Sequence, residues 1–253
     1  MAFLPLHLIY KFITMKKLLF FIFFLCSKSF SQQEYAVSYD YKIVLKKNGN
    51  LTTEIKTNLF GNGKESYYVE DFMKEKATES ENNFSIKATE NTIFYKNFAT
   101  KTIVYKDQIR MKFFNIKDTI SGFDWKITTD RKTVLGYECQ KATLFFRGRN
   151  YVAYFTNKIP FQDGPWKFSG LPGMILDIMS DEEDIYFSLV CEKIELKKGI
   201  TKFEDPYIAE KTISYKEFVA IYNKKYNESK TNNAQDSTMP IWPKARQEVY
   251  VTD

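Results

Sequence analysis

The stretch Tyr35 to Phe60, YAVSYDYKIVLKKNGNLTTEIKTNLF, decides how the rest of the chain is read. Its first half, Tyr35 to Leu45, alternates aromatic or β-branched residues with small and charged ones, the period-two pattern of a strand with one face on a core. Asn48-Gly49 then supplies the two residues that tolerate positive φ in a tight hairpin. Leu51 to Phe60 is the return strand. Gly61-Asn62-Gly63 turns the chain again, into a strand over Ser66 to Phe72.

The same grammar continues outward. Strand signals occur at Phe84 to Ala88, Thr92 to Phe98, Thr102 to Lys106, Ile109 to Ile116 and Phe123 to Ile127. Lys74 to Asn83 is charged and reads as an exposed loop. Gly136 to Phe146 and Asn150 to Phe155 flank Arg147-Gly148-Arg149 as a hairpin. Met174 to Met179 and Ile185 to Ile194 flank the acidic run Asp181 to Asp184. That run lacks the alternating ligands of an EF-hand and reads as a solvated hairpin loop. Short strands joined by polar turns imply an antiparallel meander.

Ser214-Tyr215-Lys216-Glu217 is a capping box that opens a helix. Tyr215, Phe218, Val219, Tyr222 and Tyr226 recur at helical spacing and should face the sheet; the stripe reads as core. After Asn227 the chain turns polar. The expected fold is mainly β, a β-rich α+β arrangement: a curved antiparallel sheet or bowl-like half-barrel with a C-terminal helix packed on it. The 23 Phe and 17 Tyr exceed what a sheet covered on one face consumes, which implies a large concave apolar face or exposed rings for a ligand.

The N-terminal region reads differently. Met15-Lys16-Lys17, the apolar run Leu18 to Cys26 and the small-residue exit Ser29-Phe30-Ser31 have the build of a secretory signal peptide. A membrane span needs about 18 unbroken apolar residues, and Lys16 and Lys17 interrupt the run, so no transmembrane span is expected in the mature chain. Met15 is the expected start, with residues 1–14 upstream of it. Cleavage after Ser31 divides the chain into residues 1–31 and a single β-rich domain, residues 32–253. Cys26 follows Phe23-Phe24-Leu25, not the small residues that lipidation requires.

Removing the leader takes Lys11, Lys16, Lys17 and Lys28 and no acid, so the excess of 37 cations over 31 anions falls from +6 to +2. A near-neutral chain gives no electrostatic argument for nucleic acid. His7, the only histidine, leaves too. The mature chain therefore has no Ser-His-Asp or Cys-His chemistry and no histidine metal site. No cofactor motif is present. Cys139 and Cys191 remain. They could pair in an oxidising compartment, stabilising by about 4 kcal/mol in the chain-entropy model, or they could be buried thiols on neighbouring strands.

The glycine- and proline-rich stretch Gly164 to Ile178 (GPWKFSGLPGMILDI) is the densest concentration of turn residues. Leu171-Pro172-Gly173-Met174 suits a type II turn. Gly164-Pro165 makes an earlier bend and Gly170 permits close approach. Trp166 and Phe168 alternate with Lys167, so they can plug into the core between the bends, and Met174-Ile175-Leu176 then enters a buried strand. The stretch lacks the frame of a phosphate loop or a nucleophile elbow. It therefore reads as structural turns at Gly164, Pro165, Gly170, Pro172 and Gly173, with Trp166, Phe168, Leu171 and Met174 as candidate ligand contacts.

Gly136-Tyr137-Glu138-Cys139-Gln140-Lys141-Ala142, Ile159-Pro160, Gly164 to Phe168 and Gly170-Leu171-Pro172-Gly173-Met174-Ile175, in that order, resemble the GLPGLI family of Bacteroidetes envelope proteins. Met174 stands where the family name has leucine. The resemblance runs over about Thr133 to Ile194. It implies an exported protein and carries no catalytic residues across, because the family is largely of unknown function. The strand pattern is also similar to bowl-like carriers of the LolA type, whose curved sheet holds apolar ligand.

Three functional readings follow. The first is an exported cell-envelope protein that acts as a non-catalytic binding module for a lipid, peptide or glycan, in the periplasm, at the outer membrane or outside the cell. The second is a carboxylate-dependent hydrolase, since two acids suffice for glycoside cleavage. Asp163 and Asp177 are its candidates, against the plainer expectation that Asp163 caps a loop and Asp177 sits exposed on a strand. The third is an accessory protein of an outer-membrane transport system, with an envelope protein as partner.

Overall fold

The computed structural model describes residues 33–46, 51–71, 91–120, 122–199, 201–238, 241, 243–245 and 248–251. The leader with its start and cleavage sites, the Asn48-Gly49 turn, the loop expected at Lys74 to Asn83 and the strand expected at Phe84 to Ala88 lie outside the described residues.

Two meanders make the sheet. The first contains β1 (Gln33–Leu45), β2 (Leu51–Gly61), β3 (Glu65–Glu70), β4 (Thr92–Asn97), β5 (Thr102–Ile109) and β6 (Lys112–Thr119). The second contains β7 (Lys126–Val134), β8 (Tyr137–Phe146), β9 (Arg149–Thr156), β10 (Met174–Asp181) and β11 (Ile185–Lys198). β11 pairs antiparallel with β1 over its whole length and joins the halves. A short β12 (Thr212–Ser214) runs parallel to β6 and leads into helix α1 (Tyr215–Gln235). The order is β12-β6-β5-β4-β3-β2-β1-β11-β10-β9-β8-β7, and the two edges do not meet. The fold is thus mostly β, one open sheet with a C-terminal helix packed on it, as the alternation and the capping box implied.

The alternation becomes physical in the cross-strand rows. Val37, Leu59, Tyr68, Phe94, Tyr105 and Ile116 stand directly opposite one another across six strands. All six are buried. Tyr41, Leu189, Ile178, Ala153 and Ala142 form the matching row across the other half, also buried. Directly opposed residues share a face, so these rows define one continuous inner surface. Each large side chain removed from water stabilises by about 1.5–3 kcal/mol. Register shifts at Ser38/Tyr39, where the halves join, and at Ile175/Asp177, between β9 and β10, bend the sheet. The Tyr39 hydroxyl ties the two sites together, donating to the Ile175 carbonyl at 2.8 Å.

Two local expectations need correction. The run Phe123 to Ile127 is not one strand: β7 begins at Lys126, and Phe123 and Trp125 leave strand geometry to pack their rings against Phe168. The apolar run Ile109 to Ile116 is broken by a two-residue turn at Arg110-Met111, because Ile109 pairs with Lys112. The helix opened by the capping box runs on past Asn227, where the chain turns polar. It continues to Gln235, since exposed turns need no apolar face, and it buries Phe218, Tyr222, Tyr226 and Ser229. Tyr215 and Val219 are partly buried against the same core. Ser214 caps the helix, with its side chain accepting from Glu217 N while Glu217 accepts from Ser214 N.

Candidate functional site

The stretch Gly164 to Gly173 is a plug on the inner face. Trp166, Phe168, Leu171 and Met174 are all buried in the core. The Phe168 ring lies 4.8 Å from that of Tyr151, 5.3 Å from that of Trp166 and 6.0 Å from that of Trp125. The rings that could have lined an open bowl are packed against the chain's own loop.

The turns that form the plug differ from the simple expectation. Gly173 N donates to Leu171 O at 2.7 Å, and Met174 N donates to Ile159 O instead of closing a type II turn. Proline suits the centre of such a three-residue turn. Gly173 has φ +149°, and a Cβ there would lie 2.1 Å from the Thr156 carbonyl oxygen. Trp166 adopts φ +53° in the turn closed by Phe168 N and Pro165 O. A left-handed tryptophan costs about 1–3 kcal/mol, and packing against Phe168 and Phe187 holds it there.

Two buried charge clusters anchor the plug. Lys96 Nζ donates to Asp163 Oδ1 at 2.7 Å, to Gly164 O at 2.6 Å and to Phe168 O at 3.0 Å, and the Tyr35 hydroxyl donates to Asp163 Oδ2 at 2.6 Å. Burial pulls the Lys96 ammonium down from its ordinary pKa, and Asp163 works against that pull. Lys167, between Trp166 and Phe168, is buried too. Its Nζ donates to Glu248 Oε2 at 2.8 Å, and Arg147 reaches Glu248 Oε1 at 2.7 Å and Asp118 at 2.5 Å. Burial alone would raise the Glu248 carboxyl; Lys167 and Arg147 outweigh it and hold the group below its usual range. A buried charge needs a partner with good geometry, and each of these has one.

The two candidate acids are separated by chemistry. Asp163 lines a cleft of about 280 Å³ with Tyr35, Phe161 and Gln162, and Lys96 and Tyr35 engage both its oxygens. Asp177 does not line that cleft. It is 6% exposed, which corrects the expectation of an exposed strand position. Lys132 on β7 covers it at 2.5 Å and lies 3.9 Å from the Tyr154 ring centre. Cys139 and Cys191 are both buried free thiols. Burial pushes them up to about 11 and about 12. In the acidic loop, Asp181 binds Lys46, Glu182 accepts from Asn150 N, and Asp184 holds Arg149 through two 3.0 Å bonds.

A larger cleft, of about 540 Å³, lies where the β5–β6 turn meets α1. Ile109, Met111, Phe114 and Ile221 supply its apolar walls, and Arg110, Lys112, Lys224 and Lys225 surround them. Lys225 pairs with Glu228 at 2.7 Å, and the Lys112 ammonium sits 5.2 Å from the Phe114 ring centre. Arg110 has φ +56° in a two-residue hairpin turn that ordinarily takes Asn-Gly. A left-handed non-glycine residue there costs about 1–2 kcal/mol. Sequence reading missed this cleft. Its available signals were a turn without glycine or asparagine, and the spacing of Ile221, Lys224 and Lys225 on one helix face.

Comparison with known proteins adds a short family match and a fold. A family model described as "Protein of unknown function (Porph_ging)" matches residues 147–177, which are β9, the plug and the first half of β10. No curated protein matches the sequence. Among solved structures, PNGF-II is similar in two crystal forms at 13% identity, with TM-scores of 0.50 (space group P21) and 0.49 (C2). The match covers 76% of this chain but only 34% and 32% of those chains, so the chain spans about a third of PNGF-II. A LolA superfamily protein from Nitrosomonas europaea matches at 8% identity and TM-score 0.32, over 71% of this chain and 91% of that one. The likeness to PNGF-II is one of fold. Among the described residues, no helix is long and apolar enough to cross a membrane.

Proposed function

We propose that this chain is an exported cell-envelope protein that works as a non-catalytic binding module, and that the cleft between the β5–β6 turn and α1 holds its ligand. The observation that carries the reading is that cleft: apolar walls large enough for a small ligand, surrounded by four cations. An apolar chain ending in an anion, as in a fatty acid or a lipid phosphate, satisfies both. The secretory leader and the resemblance to GLPGLI envelope proteins support the exported setting. The plug fills the inner face, so Trp166, Phe168, Leu171 and Met174 would meet a ligand only if the plug withdrew.

Native mass spectrometry of the mature protein purified from its own envelope tests the reading, together with displacement of a fluorescent fatty acid. Bound mass and displacement, both weakened by Lys224→Glu with Lys225→Glu, are the expected results. A protein that carries no extra mass and displaces no probe ends the proposal.

A further inference from the structure

The β5–β6 turn is unusual beyond its cleft. Met111 is 83% exposed at the tip and Phe113 is 58% exposed two residues later. Soluble proteins place small polar residues at hairpin tips, for which the backbone asks nothing apolar. Here an apolar tip is combined with a left-handed arginine. Arg110 and Lys112 flank the tip within the hairpin, and Lys224 and Lys225 stand beside it on α1. Glu228 faces this group through Lys225, and Asp107 lies on β5 of the same hairpin.

We infer that this tip seats the protein on an anionic lipid surface, with the cleft mouth at the membrane. Three observations favour a bilayer over other partners. The apolar residues point to both sides of the hairpin: Phe114 stands opposite Asp107 toward α1, while Phe113 stands opposite Gln108 on the other face. A protein groove would cover one side; hydrocarbon accepts both. Arg110, Lys112, Lys224 and Lys225 are of one sign, which suits a layer of anionic headgroups and opposes a second copy of the same tip. The cleft and the tip share Met111, Arg110 and Lys112, so a ligand in the cleft would enter from the lipid side. The inference builds on the proposed cleft but has its own readout.

The test is co-sedimentation of the mature protein with vesicles of phosphatidylcholine alone and of phosphatidylcholine mixed with phosphatidylglycerol. Binding to the mixed vesicles alone, and its loss in high salt, are expected. Lys224→Glu with Lys225→Glu should lower partitioning by roughly tenfold or more. Met111→Glu should abolish it, whereas Phe145→Glu, at a ring on β8 that is 69% exposed, should leave it unchanged. Circular dichroism confirms that each variant is folded. No binding to the mixed vesicles, or equal loss in the Met111 and Phe145 variants, overturns the inference. The fatty-acid displacement assay separates the two proposals. Displacement without vesicle binding leaves the cleft proposal standing and removes the membrane one; vesicle binding without displacement does the reverse.

Discussion

Gly173 and Gly170 sit three residues apart in the plug with opposite demands. A Cβ on Gly173 strikes the Thr156 backbone at 2.1 Å, while one on Gly170, at φ +88°, meets nothing within 4 Å. Gly170→Ala should therefore cost only the left-handed penalty, about 1–2 kcal/mol. Gly173→Ala should cost several-fold more, because the backbone it meets cannot rotate away. Urea unfolding of both variants measures the difference, and equal losses would contradict the packing described. Lys96→Met and Asp163→Asn should each cost about 3–5 kcal/mol, because each strands the other group in the core. The double variant should lose less than the sum of the two, which a double-mutant cycle reads directly.

Glu70 makes a pH-dependent prediction at the same scale. Burial first, then the nearby Asp107, raise its carboxyl to about 8, while Lys167 opposes them. The folded state thus holds a proton that the unfolded chain releases near its ordinary pKa of about 4.3. Its contribution is fully present below that value and is lost as pH rises toward 8, on the order of a few kcal/mol in all. Glu70→Gln should flatten that part of the stability profile, measured by chemical unfolding between pH 5 and pH 8. A profile identical to wild type would show that Glu70 titrates normally.

At the scale of elements, the strands and the helix were legible because their patterns are local. Tyr35 to Tyr41 announce a strand with one buried face whatever they pair with. Ser214 and Glu217 announce a helix start because both partners lie within one turn. Ser214→Ala should cost about 1 kcal/mol by loss of that cap, and thermal unfolding is enough to detect it. The segments that misled were those whose conformation is set from elsewhere. Phe123 and Trp125 alternate like a strand, yet Trp125 Nε1 donates to Ser169 O in the plug at 2.9 Å. The Arg110-Met111 turn carries no turn residue, so the run through it read as continuous strand.

At the scale of the whole molecule, β1 and β11 tie the two meanders into one sheet, and the plug touches both halves. Gly164 and Phe168 accept from Lys96 in one half, while the Phe168 ring meets Tyr151 in the other. The chain should therefore unfold cooperatively. Near-ultraviolet signals from Trp125 and Trp166 should change at the same denaturant concentration as the far-ultraviolet strand signal. Two separated transitions would mean that the halves, or the plug, are independent units.

The sequence by itself determined the strand periodicity, several of the turns and the helix start, because each rests on residues close together. Only the tertiary structure decided that β11 returns to β1, that the glycine- and proline-rich stretch fills the inner face, and that Lys96 and Lys167 are buried. It alone brought the β5–β6 turn against α1. Those contacts join residues far apart in the chain, 67 positions for Lys96 to Asp163 and 81 for Lys167 to Glu248. Their energy comes from shape and from charge pairing after desolvation, and neither leaves a periodic mark along the chain.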